Sequence, residues 1–238
     1  MTTEFQQRQT LESSNNLMTF EDVVRNRRSI RSFLDTPVPE NILHEVLQDA
    51  QYAPSNCNTQ PWHTHIVSGE KLKQLSELIL TKHHANQLSP DFSFDTNEYH
   101  GDYQERFYKF ANTYYSAMGA KREDKEKRAQ VSDMNYSFFN APSVALLFMP
   151  SFGDDVRVAG DIGMYGQTFL LSLAAHGLGG IPQTSLGFFA GDIREFLGIP
   201  KDLKLLFGIS FGYPDEAAAG NSFRTERSPI EETVTFHN

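Results

Sequence analysis

Apolar positions recur along this chain in blocks whose spacing changes between three or four residues and two, and each block predicts an element. Thr19 with Asp22 three residues later is a capping-box pattern, opening a helix to about Arg27. Pro37 and Pro39 break the chain. Pro39-Glu40 then suits the first turn of a helix with one apolar face, Ile42, Leu43, Val46, Leu47 and Ala50, which Pro54 stops. Trp62 to Val67 predicts a strand, and Lys71 to His84 a helix with Leu72, Leu75, Leu78 and Ile79 inward. Residues 85–98 predict a loop, and Asp102 to Met118 a long helix. Ser143 to Met149 is a continuous apolar run, the pattern of a strand covered on both faces. Val156 to His176 predicts a helix ended by Gly177. Its Gly160, Gly163 and Gly166 weaken helix propensity and imply close approach by another helix or a second subunit. Lys204 to Gly212 alternates, with Leu205, Phe207, Ile209 and Phe211 on a bulky face and Leu206, Gly208, Ser210 and Gly212 on a small one. Helices and strands interleave without regular βα alternation, which predicts an α+β fold. We expect a loose polar tail over residues 1–17 and a single domain over 18–238.

Charge narrows the partners. The 238 residues carry 21 Lys+Arg against 30 Asp+Glu, a formal net charge of −9, which argues against a nucleic-acid partner. The basic run Lys121–Arg128 does not change this, because Glu123–Lys127 and Asp124–Arg128 are spaced as i,i+4 pairs on a solvated helix face. No stretch of 18 apolar residues suggests a membrane span, and Cys57 is the single cysteine. With no pattern of a secretion signal either, a reducing cytoplasm is the expected location.

Several motifs fail on context. Gly208 to Gly212 matches G-x-S-x-G, with Asp215 and His237 following in hydrolase order, but the pattern lies inside an alternating strand and runs into Tyr213-Pro214. A nucleophile elbow needs a sharp turn and then a helix, so a serine hydrolase built on Ser210 is only an alternative. His63 and His65 make half a zinc site, and no metal is expected. Neither G-x-G-x-x-G nor a Walker loop is present.

Four polar segments remain. Arg27-Arg28-Ser29-Ile30-Arg31 follows a helix, and an extended exit would turn Arg27, Ser29 and Arg31 to one side as an anion site. Pro54 to Trp62 is a loop crowded with amides and hydroxyls. Gly179-Gly180 precedes Ile181 to Ser185, and the two glycines would let backbone approach a ligand. Arg224 to Pro229 adds two guanidiniums three residues apart. Together they ask for one phosphorylated ligand rich in hydrogen-bonding groups.

Arg27 to Arg31, Ala53-Pro54-Ser55 with Asn58 and Gln60-Pro61-Trp62, Gly180 to Gln183, and Gly208 to Pro214 resemble, in order and spacing, the FMN-dependent nitroreductase family over about residues 19–236. The resemblance implies an α+β sandwich with an antiparallel or mixed central sheet surrounded by helices. It also implies a homodimer with exchanged terminal segments and one FMN, tightly but non-covalently held, at each of two sites in the interface. Position by position, it implies Arg27, Ser29 and Arg227 at the FMN phosphate with Arg28 beside them and Arg224 assisting, and Arg31 at the pyrimidine edge of the ring. Pro54, Ser55 and Asn58 would reach the flavin from the partner subunit. Pro182, Gln183, Thr184 and Ser185 would line the ring, with the Thr184 backbone N–H near N5 as the catalytic group. The activity implied is NAD(P)H-dependent reduction of nitroaromatic or other small electron-poor acceptors in ping-pong order, with dehalogenation or enone reduction as family alternatives. A non-catalytic flavin-binding protein is a further reading. Residues from about 85 to 139 are long for the family and are expected to form a lid. There Tyr99, Tyr103, Phe107, Phe110 and Tyr114 form one helical stripe, with Tyr103 and Phe107 the expected substrate contacts and the rest packing.

Overall fold

A computed structural model describes residues 18–237, so the tail expected over residues 1–17 lies outside the described residues. The elements are α1 (Phe20–Asn26), α2 (Glu40–Gln51), β1 (His63–Ser68), α3 (Gly69–His84), α4 (Gly101–Ala117), α5 (Lys125–Asp133), β2 (Ser143–Pro150), α6 (Val156–Ala175), β3 (Gly179–Gln183), α7 (Ala190–Leu197) and β4 (Leu203–Gly212). The capping box at α1 forms: Thr19 Oγ1 accepts from the Asp22 N–H at 3.2 Å, and the Thr19 N–H donates to Asp22 Oδ2 at 3.1 Å. Gly177 and Gly198 close α6 and α7 at φ +72° and +67°, a conformation that strains any residue with a Cβ.

The strands form one antiparallel sheet in the order β1-β2-β4-β3. Val144 to Met149 of β2 are fully buried, because helices cover both faces of this central strand. On one face Ala145, Leu147, Ile209 and Phe211 pack against α2 and α6, including Val46, Ile162 and Phe169. On the other, Leu146, Phe148 and Leu205 pack against α3 and α7, including Leu75, Ile79 and Ile193. The fold is thus α+β with a helix-covered antiparallel sheet.

The structure corrects three expectations. Leu205 does not share a face with Ile209 and Phe211. Leu147 pairs with Phe207 but Phe148 with Leu205, so a β-bulge absorbs Leu206 and turns Leu205 to the opposite core. The glycine stripe of α6 also divides. A Cβ on Gly166 would meet the Phe207 ring at 2.8 Å, whereas Gly160 and Gly163 face open space. Finally, α5 starts at Lys125, so Asp124 caps it by accepting from the Lys127 N–H, and among the described residues neither expected i,i+4 pair forms. Arg128 instead lies 3.7 Å over the Tyr115 ring.

Candidate active site

Leaving α1, the chain turns extended at Arg27 (φ −55°, ψ 128°). Ser29 makes a parallel bridge to Gly180, and the Ile30 N–H donates to the Gly180 carbonyl at 3.2 Å. Ile30 is buried against Gly179, where a Cβ would come within 2.4 Å of Ile30 Cγ1. This corrects the expectation for the glycine pair: the space they leave is filled by the chain's own side chains, Ile30 at Gly179 and Leu170, Leu173 and Ile209 at Gly180, not by a ligand. With Ile30 inward, alternation turns Arg27, Ser29 and Arg31 outward together. Arg28 forms an ion pair with Glu216.

Arg27, Arg28, Ser29 and Arg31 line one wall of a cleft of about 780 Å³, and Arg224 and Arg227 of the C-terminal segment line another. Phe110 of α4, Gln167 of α6 and Phe223 also line it. Arg224 reaches the Asn26 carbonyl at 3.3 Å, so the exposed carbonyls at the end of α1 dock the C-terminal segment. Among the described residues, Arg27, Arg31, Arg224 and Arg227 have no carboxylate within 4.0 Å. Burial pushes the pKa of Arg27 down and the nearby Arg227 charge adds to it; burial does the same to Arg31. In a chain of net charge −9, this concentration of unpaired cations makes a local anion site. The Arg31 backbone N–H is anchored to Asn221 Oδ1 at 2.7 Å, and its guanidinium stands among Phe110, Tyr114 and Phe223.

Other candidates lie elsewhere in the chain. Pro54, Ser55 and Asn58 do not line this cleft; their loop is largely exposed, with Cys57, Asn58 and Gln60 at positive φ. The loop is stapled internally by the Gln60 N–H donating to Ser55 Oγ at 2.9 Å. It is tied to the body by the Asn56 N–H donating to Asp161 Oδ1 at 3.0 Å. Pro182 and Thr184 are exposed at the end of β3, and Ser185 is half-buried. Gln183 departs from expectation. Its side chain is buried, accepts from Ser210 Oγ and donates to the Asn135 carbonyl at 2.8 Å, which leaves only its backbone for a ligand. Ser210 is fully buried in mid-strand, which removes the hydrolase alternative. The aromatic stripe splits: Phe110 and Tyr114 turn to Arg31, Tyr103 is 65% exposed, and Phe107 lies tilted by 40° beside Tyr99, with centroids 6.0 Å apart.

Sequence reasoning missed Gln167, Phe223, Asn221 and Asp161. Nothing local marks them, since each matters only through a partner more than 50 residues away. Arg25 also lines the cleft but pairs with Glu21.

Known proteins resemble this chain over most of its length. The profile of the nitroreductase family matches residues 24–213. A nitroreductase, NfnB, of Mycolicibacterium smegmatis is 39% identical, with 91% of this chain and 92% of that protein covered. A 4-nitrobenzoate reductase of Pseudomonas putida is 35% identical over 91% of this chain and 95% of its own length. Among solved structures, the FMN-dependent NfnB of Mycobacterium smegmatis in complex with NADPH superposes with a TM-score of 0.88 at 38% identity, covering 92% of this chain and 97% of that one.

Proposed function

The chain belongs to the nitroreductase family, and on that premise we propose that it is an FMN-dependent NAD(P)H oxidoreductase that reduces small nitroaromatic acceptors. The observation that carries this reading beyond family membership is the cleft in which Arg27, Arg31, Arg224 and Arg227 converge without an acidic partner among the described residues. A phosphate dianion at one end and a ring that gains negative charge on reduction at the other suit that charge. Arg27, Ser29, Arg224 and Arg227 would hold the phosphate, with Arg28 behind them, and Arg31 would face the pyrimidine edge. Bound FMN would supply the redox chemistry, taking hydride from a reduced nicotinamide and passing it to the acceptor, the two occupying one pocket in turn. The chain's residues then bind, orient and exclude water. Thr184 would offer its backbone N–H to the reacting edge, beside Pro182, Ser185 and the Gln183 backbone.

The working form is a homodimer. Pro54, Ser55 and Asn58 sit outside this protomer's cleft on an exposed loop, as residues destined for a partner's site would. Gly160 and Gly163 leave open space on α6, and Phe20 (78% exposed) and Val24 add uncovered apolar surface. Exchange of the C-terminal segment suits its exposed Ile230, Val234 and Phe236. Residues 85–139 form the lid, where Tyr103 and Phe107 meet the acceptor. No helix among the described residues is long and apolar enough to cross a membrane, and the single Cys57 suits a reducing cytoplasm.

The test is direct. The purified protein should be yellow and release FMN, not FAD, on denaturation. Anaerobic NADPH or NADH should bleach it, and 4-nitrobenzoate or nitrobenzene should restore the colour. A folded, colourless protein that takes up no added FMN refutes the reading.

A further inference from the structure

Arg31 is held in an unusual way for a half-buried cation. Its guanidinium carbon lies 5.2 Å from the Phe110 ring centroid, 5.0 Å from Tyr114 and 5.6 Å from Phe223. The Phe110 and Tyr114 rings are parallel to within 3°, one turn apart on α4, while Phe223 comes from the C-terminal segment. The two segments are tied by Lys109–Glu226 and by Arg106–Glu232, the latter at 3.0 Å. The guanidinium donates to the Ser29 carbonyl at 3.3 Å, and no carboxylate lies within 4.0 Å of it among the described residues. The Tyr114 hydroxyl is buried without a hydrogen-bond partner, so what this side chain gives the site is its ring.

A long, flexible cation can be fixed in place in two ways. A carboxylate fixes it but cancels its charge. Aromatic faces attract it through their quadrupole and leave the full unit charge in place. We propose that Phe110, Tyr114 and Phe223 are positioning residues that hold the Arg31 guanidinium with its charge uncancelled, so that the lid helix α4 helps set how strongly the site prefers the reduced to the oxidised cofactor. The inference rests on the reading that Arg31 faces the pyrimidine edge of FMN. A cage that acted by packing alone would alter affinity for both redox forms equally. One that acts through Arg31 alters their ratio.

The experiment is the midpoint potential of bound FMN in the holoprotein, measured by equilibration with a reference dye, alongside FMN affinity in the oxidised state and melting temperature. Tyr114→Leu and Phe223→Leu should each weaken the preference for reduced FMN about tenfold, a fall of about 30 mV for a two-electron couple. Tyr114→Phe keeps the ring and should keep the parent potential. Arg31→Ala should lower the potential at least as far as either cage variant. If Arg31→Ala leaves the potential unchanged, the placement of Arg31 at the flavin fails and the cage inference with it. If Arg31→Ala lowers the potential while both leucine variants match the parent, the placement stands and the cage is refuted. A Tyr114→Phe variant shifted as far as Tyr114→Leu overturns the role of the ring. Should one leucine variant fail to fold, the other decides, since the rings come from separate segments.

Discussion

Removing the Asp161 carboxylate should undock the loop proposed to serve the partner's flavin. Asp161 is only 4% exposed, in the second turn of α6, and accepts the Asn56 N–H at 3.0 Å. Among the described residues this is the one hydrogen bond joining residues 55–60 to the rest of the chain; the others close within the loop. A hydrogen bond to a charged group is worth about 1.5–3 kcal/mol. In Asp161→Ala that docking energy must be recovered when the cofactor binds, so the FMN dissociation constant should rise by roughly 10- to 150-fold, at about 1.4 kcal/mol per decade. The upper end assumes complete release, and the Ser55–Gln60 staple preserves some loop shape, so we expect the lower half. Asp161→Asn keeps a carbonyl acceptor without the charge; a neutral bond retains about 1 kcal/mol, so about 0.5–2 kcal/mol is lost and affinity should fall only roughly 2- to 30-fold. Asp192→Ala is the control: it removes the acceptor of Lys82, at 3.2 Å, and of the Ser89 hydroxyl on the other side of the sheet, neither of which lines the cleft, and should leave FMN affinity alone. Fluorescence titration of apoprotein with FMN gives the affinities, and hydrogen exchange at residues 55–60 reports docking. Parent-like affinity and protection in Asp161→Ala would refute the anchor.

Three further outcomes follow from the same geometry. Gly179→Ala places a Cβ 2.4 Å from Ile30 Cγ1, and overpacking of this kind costs about 1–3 kcal/mol; chemical denaturation should show that loss together with poorer FMN retention, because the Arg27–Arg31 strand must move. Thr184→Ala should reduce the flavin within a few-fold of the parent rate, whereas Thr184→Pro, which deletes the N–H, should slow stopped-flow bleaching roughly 10- to 150-fold in flavin-saturated protein; equal rates would remove the amide from the reaction. Burial pushes the Tyr114 phenol up to about 12, so above pH 10 the unfolded chain releases this proton while the folded one keeps it. Stability should therefore fall between pH 10 and 12, by about 2–3 kcal/mol at most from this group. Tyr114→Phe should show a shallower decline, and identical pH profiles would contradict the shift.

Much of the secondary structure is a local property of this sequence. The Thr19–Asp22 capping box, the apolar face of α2, the unbroken apolar run of β2 and the stop at Gly177 each depend on residues within a few positions of one another, so spacing alone determines them. Alternation turns Arg27, Ser29 and Arg31 one way only once the chain is extended after Arg27, and that extension is held by pairing with Gly180, about 150 residues away. Tertiary structure decided what depends on a distant neighbour. Leu205 changed face because β2 and β4 differ by one residue across the bulge, which no alternation in a single strand reveals. Gly179 and Gly180 proved to be room for Ile30 and the core rather than for a ligand, because Ile30 is brought there from about 150 residues away. Gln183 has the composition of a site residue, yet its side chain satisfies the buried Ser210 hydroxyl, a demand created only when β3 pairs with β4. Asp161 and Phe223 carry no motif at all, and the helical stripe that contains Phe110 and Tyr114 does not reveal that they meet Arg31. A buried charge or an unpaired cation is defined by what surrounds it, and folding supplies those surroundings.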